Sequence, residues 1–136
     1  FENGLFDVVT IAGSLSYGDS KKVDSEIRRV IKTGGYFICV DSLNNNLIYS
    51  LNRYIHYLKK ERSKMTLLNM PSVKRLEKLK QLYSEVEVNY FGAISFLTPF
   101  MKSTIGFKAA KKVSDKIDHY FRIKKSAFKF VLVAKV

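Results

Sequence analysis

Two short apolar runs joined by one helical pattern constrain this chain more than anything else in it. Leu5 to Ala12 is rich in β-branched residues, apolar on both faces and closed by Gly13 and Ser14, the pattern of a strand covered on each side. Asp19 or Ser20 is placed to cap a helix whose apolar positions Val23, Ile27, Val30 and Ile31 recur at helical spacing. Gly34 and Gly35 then stop it, the first suited to the left-handed conformation beyond a helix C-terminus. Tyr36 to Val40 is a second apolar strand, and Asp41 marks its end. Strand, helix and strand in such close succession make a βαβ unit, hence a parallel pair with a right-handed crossover.

Beyond this unit, Leu47, Ile48, Leu51, Tyr54, Ile55 and Leu58 trace the apolar stripe of an amphipathic helix that runs into the basic stretch Lys59 to Lys64. Ser72 follows Pro71 as the cap of another helix, with Leu76, Leu79, Leu82 and Tyr83 inward. Val86, Val88 and Tyr90 alternate with Glu87 and Asn89, as in a strand with one wet face. Pro99 reads as linker, and Ala110, Val113, Ile117, Tyr120 and Phe121 as a last helix. Phe128, Phe130, Leu132, Ala134 and Val136 define the inner face of a closing strand. At 136 residues the whole of 1–136 is one α/β unit.

The net charge of +12 is unevenly spread. Residues 1–44 carry five basic and six acidic side chains, whereas residues 45–85 carry nine and three, and residues 101–126 eight and two. Such a surplus attracts phosphate, nucleic acid or an acidic partner. Eighteen of the 24 basic residues are Lys rather than Arg, which favours plain solvated helix faces over bidentate phosphate contacts. Tyr49, Tyr54 and Tyr57 beside Arg53, Lys59, Lys60 and Arg62 have the composition that stacks bases and holds phosphates. Tyr54, however, belongs to the apolar stripe, and the stripe is the preferred reading. No apolar run approaches the roughly 18 residues that cross a bilayer. A lone cysteine, Cys39, excludes an internal disulfide and suits a reducing compartment. Phe1 to Gly4 carries no basic-then-apolar secretory signal. A cytoplasmic location is expected.

The segment Phe1-Glu2-Asn3-Gly4-Leu5-Phe6-Asp7-Val8-Val9, followed by Glu26-Ile27-Arg28-Arg29-Val30-Ile31-Lys32-Thr33-Gly34-Gly35-Tyr36-Phe37, resembles the second half of class I S-adenosylmethionine-dependent methyltransferases. The likeness is to their small-molecule, ubiquinone-biosynthesis-like branch. There a Phe-Asp-Val-Val-type fourth strand precedes a helix reading E-I-x-R-V-L-K-P-G-G; here Ile31 replaces Leu and Thr33 replaces Pro. The strand from Glu87 to Ile94 and the terminal Phe128 to Lys135 are similar to the family's last two strands. The family's glycine-rich E/D-x-G-x-G-x-G turn and the acidic residue that holds the cofactor ribose have no counterpart in the sequence. The resemblance therefore implies the C-terminal half of a doubly wound, Rossmann-like methyltransferase sheet, its parallel strands completed by an antiparallel C-terminal pair.

That resemblance carries further expectations. The final strand inserts between Tyr36–Val40 and Val86–Tyr90, antiparallel to both. Ligands of open α/β sheets sit beyond the carboxyl ends of the strands, here Ala12 to Tyr17 and Asp41 to Asn46. Ala12, Gly13, Ser14 and Leu15 would border S-adenosylmethionine, with Tyr17, Asn45 and Tyr54 toward a small-molecule methyl acceptor. Tyr17 and Asp41 are the catalytic candidates, although in-line alignment contributes more to methyl transfer than any proton acceptor. Asp41 reads equally well as a strand-end structural residue. His56 and His119 read as surface residues, and no metal site is expected. Alone, the chain is expected to bind the cofactor weakly or not at all and to be inactive. Its Leu5–Ala12 edge would pair with the missing N-terminal half or a second copy. The rival function is a basic α/β module that docks on RNA or another polyanion without chemistry.

Overall fold

The computed structural model describes residues 1–121, 123, 124 and 126–136. Chain order gives β1 (Phe6–Ala12), α1 (Ser20–Val30), β2 (Ile31–Ser42), α2 (Leu47–Leu58), α3 (Lys64–Leu68), α4 (Val73–Lys80) and β3 (Glu85–Phe91). A 3-10 turn (Ser95–Leu97), α5 (Thr98–Ile105), α6 (Phe107–Phe121) and β4 (Lys129–Lys135) complete it. The strands form one sheet in the order β1-β2-β4-β3. β1 and β2 are parallel, with Val8 opposite Tyr36 and Ala12 opposite Val40. β4 runs antiparallel to β2 and to β3, placing Cys39 and Val88 on either side of Leu132. The expected insertion of the closing strand is what the sheet shows.

One face of the sheet builds the core. Phe37, Cys39, Phe130, Leu132 and Ala134 point to the side where Ile27 of α1 and Leu76 and Leu79 of α4 pack, with Val9 and Ile11 at its margin. Asp19 caps α1 by accepting a hydrogen bond from the Lys22 amide, and Ser72 caps α4 through the Arg75 amide, each satisfying a donor that the first turn leaves open. Burial pushes the Cys39 thiol up to about 12, so it behaves as a small apolar residue.

Several expectations are corrected. β1 is not covered on each side: Val8 is 48% exposed, and Tyr36 and Val40 beside it are also open. Among the described residues β1 has β2 as its one sheet neighbour, and its other edge is unpaired. Gly34 and Gly35 do not stop α1, which ends at Val30; β2 begins at Ile31 and carries both glycines through an irregularity in its pairing with β1. Gly34 takes φ +81, and a Cβ on Gly35 would lie 2.7 Å from the Asp7 carbonyl oxygen. The pair thus lets β2 bend against β1 rather than capping a helix. Pro99 lies in the first turn of α5, not in a linker, a position where its missing N–H has no helical acceptor to serve. Leu82 lies past the end of α4 and is exposed, as are Val113 and Tyr120 of α6. The side chain of Phe121 lies outside the described residues.

The largest correction concerns α2. Its apolar stripe faces outward: Leu47 is 86% exposed and Leu51 61%, with Ile48, Tyr54, Ile55 and Leu58 open as well. The residue it buries is Arg53. The helix leaves the sheet where loop carbonyls and amides need partners, and its polar side supplies them. Periodicity identifies an apolar side but not what covers it.

Candidate functional site

The carboxyl ends of β1 and β2 meet at the turn from Gly13 to Tyr17. Gly13 adopts φ +67 and donates its amide to the Val40 carbonyl at 2.9 Å. Two residues on, the Leu15 amide donates to Asp41 Oδ2 at 2.9 Å, and Asp41 Oδ1 accepts from the Ser42 amide at 2.6 Å. Arg75 Nη1 donates to the Leu15 carbonyl at 3.1 Å. Arg75 is itself held by Asp24 through two nearly parallel bonds, Nη2–Oδ1 at 2.6 Å and Nε–Oδ2 at 3.1 Å. Both backbone groups of Leu15 are therefore fixed by charged side chains, which shortens and strengthens such bonds.

The predicted residues separate under this geometry. Ala12, Gly13 and Ser14 are exposed along the sheet edge, and no heavy atom lies within 4 Å of a Cβ built on Gly13. The Leu15 side chain has 0% exposure and belongs to the core, so it does not border a ligand; its backbone fixes the turn. Asp41 is buried with both oxygens engaged by amides, so it holds the turn and is not free to act as a base. Tyr17, 71% exposed, opens onto a cleft of 460 Å³ that also touches Arg62, Ser63 and Thr66. Asn45 is exposed at the start of the α2 approach, its Oδ1 accepting from the Val73 amide at 3.4 Å. Tyr54 stands on the outward stripe of α2 near Tyr57 and is not brought to the turn.

Sequence reasoning missed two arginines. Arg75 sat among solvated basic residues, yet it ties α4 to α1 and to the turn. The stripe reading places Tyr54 inward, yet Tyr54 is exposed and its neighbour Arg53 is buried. Arg53 Nη1 donates to the Leu43 carbonyl at 3.0 Å and to Asn44 Oδ1 at 3.2 Å, and its guanidinium carbon lies 5.7 Å from the centre of the Phe128 ring. Burial holds its pKa below the ordinary arginine value, and the nearby Arg62 adds to that. His56 is a surface residue, as expected, bonded to the exposed Glu61. His119 lines a separate cleft of 330 Å³ with Asp115 and Asp118, but Asp118 already accepts the Gly92 and Ala93 amides. Among the described residues no group of three His, Cys, Asp or Glu side chains is arranged to hold a metal, and none of their helices is long and apolar enough to cross a membrane.

Residues 1–66 match the sequence pattern of the ubiE/COQ5 methyltransferase family. That span is just under half of the 136-residue chain. The match runs through β1, the pinned turn, β2 and α2. Solved structures extend the likeness to the rest of the sheet. An S-adenosylmethionine-dependent methyltransferase from Archaeoglobus fulgidus superposes with a TM-score of 0.58 at 18% identity, covering 98% of this chain and 61% of that one. Phosphoethanolamine N-methyltransferase 2 of Haemonchus contortus gives 0.55 at 17%, covering 99% and 34%. Geranyl diphosphate C-methyltransferase of Streptomyces coelicolor gives 0.52 at 15%, covering 100% and 49%. The methyltransferase fold is thus shared across essentially the whole chain, while the chain spans between about a third and three fifths of those proteins. No curated protein matches the sequence.

Proposed function

We propose that this chain is the acceptor-side half of an S-adenosylmethionine-dependent methyltransferase acting on a small molecule. The observation that carries the reading is the rigid turn Gly13–Tyr17 at the carboxyl edge of two parallel strands, within the span of the family match. Ala12, Gly13 and Ser14 are small and exposed, so a ligand can approach backbone there without meeting a side chain. These residues would border the methionine part of the cofactor, which supplies an electrophilic methyl group on a sulfonium. Tyr17 would face the acceptor, and Asp41 and Arg75 would keep the turn in position for in-line transfer. Solved relatives with 15–18% identity include one that acts on phosphoethanolamine and one that acts on geranyl diphosphate, which supports a small-molecule acceptor.

A titration with S-adenosylhomocysteine tests this reading. The expected result is millimolar binding, weak because the glycine turn and ribose carboxylate are not in this chain, with amide shifts confined to Ala12–Leu15. Shifts centred on the basic residues of α6 instead, or salt-dependent RNA binding with none at the turn, overturn it. The unpaired β1 edge and the open Val8, Tyr36 and Val40 support a second part of the protein here, the N-terminal half of the domain or, failing that, a second copy. A monomer by light scattering at millimolar protein, with β1 amides exchanging slowly, counts against the second copy.

A further inference from the structure

Arginine is almost never fully buried unless paired, and Arg53 is 5% exposed. Among the described residues it forms no ion pair. Nη1 is satisfied by Leu43 and Asn44, but Nη2 is shielded from solvent and has no acceptor. The side chain lines a cleft of 130 Å³ with Ser42, Asn52, His56, Arg62 and Phe128. A second guanidinium, Arg62, therefore faces the same small space, and the two repel. The nearby Glu61 carboxylate is bonded to His56 and, among the described residues, forms no ion pair with either guanidinium. A buried guanidinium with one nitrogen lacking an acceptor, beside a second guanidinium, suits a phosphate or carboxylate oxygen.

The position of the cleft is informative. Ser42 directly follows Asp41, which holds the Gly13–Tyr17 turn, and Arg62 also lines the larger cleft of Tyr17. Arg62 thus lines both clefts. We infer that the Arg53–Arg62 cleft receives the anionic group, phosphoryl or carboxylate, of the methyl acceptor, while the acceptor's reacting end lies toward Tyr17. The assignment to the acceptor rests on the methyltransferase reading; the anion site itself does not.

The test follows the Arg53 side-chain Nε–H signal of the chain while inorganic phosphate or acetate is added at constant ionic strength, with chloride as reference. One of the two anions should shift the Arg53 signal saturably, with a dissociation constant of about 1 mM. Preference for phosphate marks a phosphoryl group, and preference for acetate a carboxylate. Arg62→Gln, at an exposed position, should weaken this binding about ten-fold, and Arg53→Lys, which keeps the charge but loses the fork and is therefore followed through the Ser42 and Asn52 backbone amides of the cleft, by a similar factor. Lys112→Gln removes the same charge from α6 and should leave binding within about two-fold. No Arg53 response, a response equal to that of chloride, or equal weakening by Lys112→Gln and Arg62→Gln overturns the site. A shift of Arg53 by S-adenosylhomocysteine alone overturns the acceptor assignment, since the cofactor's own carboxylate would then be the occupant. Anion binding together with salt-dependent RNA binding and no cofactor response at Ala12–Leu15 sinks the methyltransferase reading and leaves the cleft intact.

Discussion

The turn at Gly13–Tyr17 and helix α2 flank the same sheet edge and are built on opposite terms. In the turn, an apolar side chain goes in and charged groups hold the backbone: Leu15 enters the core while Asp41 and Arg75 take its amide and carbonyl. In α2, a charged side chain goes in and the apolar ones face out, with Arg53 buried and Leu47 to Leu58 open. The first arrangement is complete within the chain. The second leaves a donor and an apolar surface without partners. Among the described residues, a turn whose polar groups are satisfied therefore sits beside a surface whose own are not.

The sharpest way to break this contrast is Arg75→Met. It strands the Asp24 carboxylate, whose pairing with Arg75 is mostly buried, and frees the Leu15 carbonyl. Removing one partner of a buried pair costs about 3–5 kcal/mol, which urea unfolding should register; a loss under about 1 kcal/mol would mean the turn is held by something else. Asp41→Ala should cost about 1–3 kcal/mol, the penalty for an unsatisfied buried amide. Hydrogen exchange should accelerate at Leu15 and Ser42 first, and uniform acceleration would argue against a local clamp.

On the α2 side, Leu51→Ala should change stability by no more than about 0.5 kcal/mol, as at an exposed position. A loss of about 2–5 kcal/mol, the usual range for a core leucine, would put the stripe back against the core. The smallest effect is electrostatic. The hydrogen bond from His56 holds the exposed Glu61 carboxyl below its ordinary range. A carboxyl whose folded pKa is depressed stabilises above its unfolded pKa, and that contribution disappears as pH falls through the folded value. His56→Gln should move the Glu61 carbon-13 midpoint upward toward an ordinary glutamate. The wild-type advantage over the variant should shrink as pH drops through the Glu61 transition, and an unchanged midpoint would show that the bond is not kept in solution.

Local chemistry wrote the βαβ unit, the Asp19 and Ser72 caps, the core role of Cys39 and the alternation of β4 plainly into the sequence, because period, cap and turn residues act over a few positions. Sheet order followed from the resemblance in the first forty residues rather than from the strands themselves. The end of β1 at Ala12 is legible in the same way, but the inward turn of Leu15 and the engaged state of Asp41 are not. Asp41 reaches the Leu15 amide across twenty-six residues, and Arg75 reaches the Leu15 carbonyl across sixty. Tertiary structure alone decided which side of α2 is buried. Its stripe is apolar enough to read as a core face, yet the loop carbonyl of Leu43 and the side chain of Asn44 lie within reach of Arg53, and no nearest-neighbour pattern encodes where a distant carbonyl will need a donor.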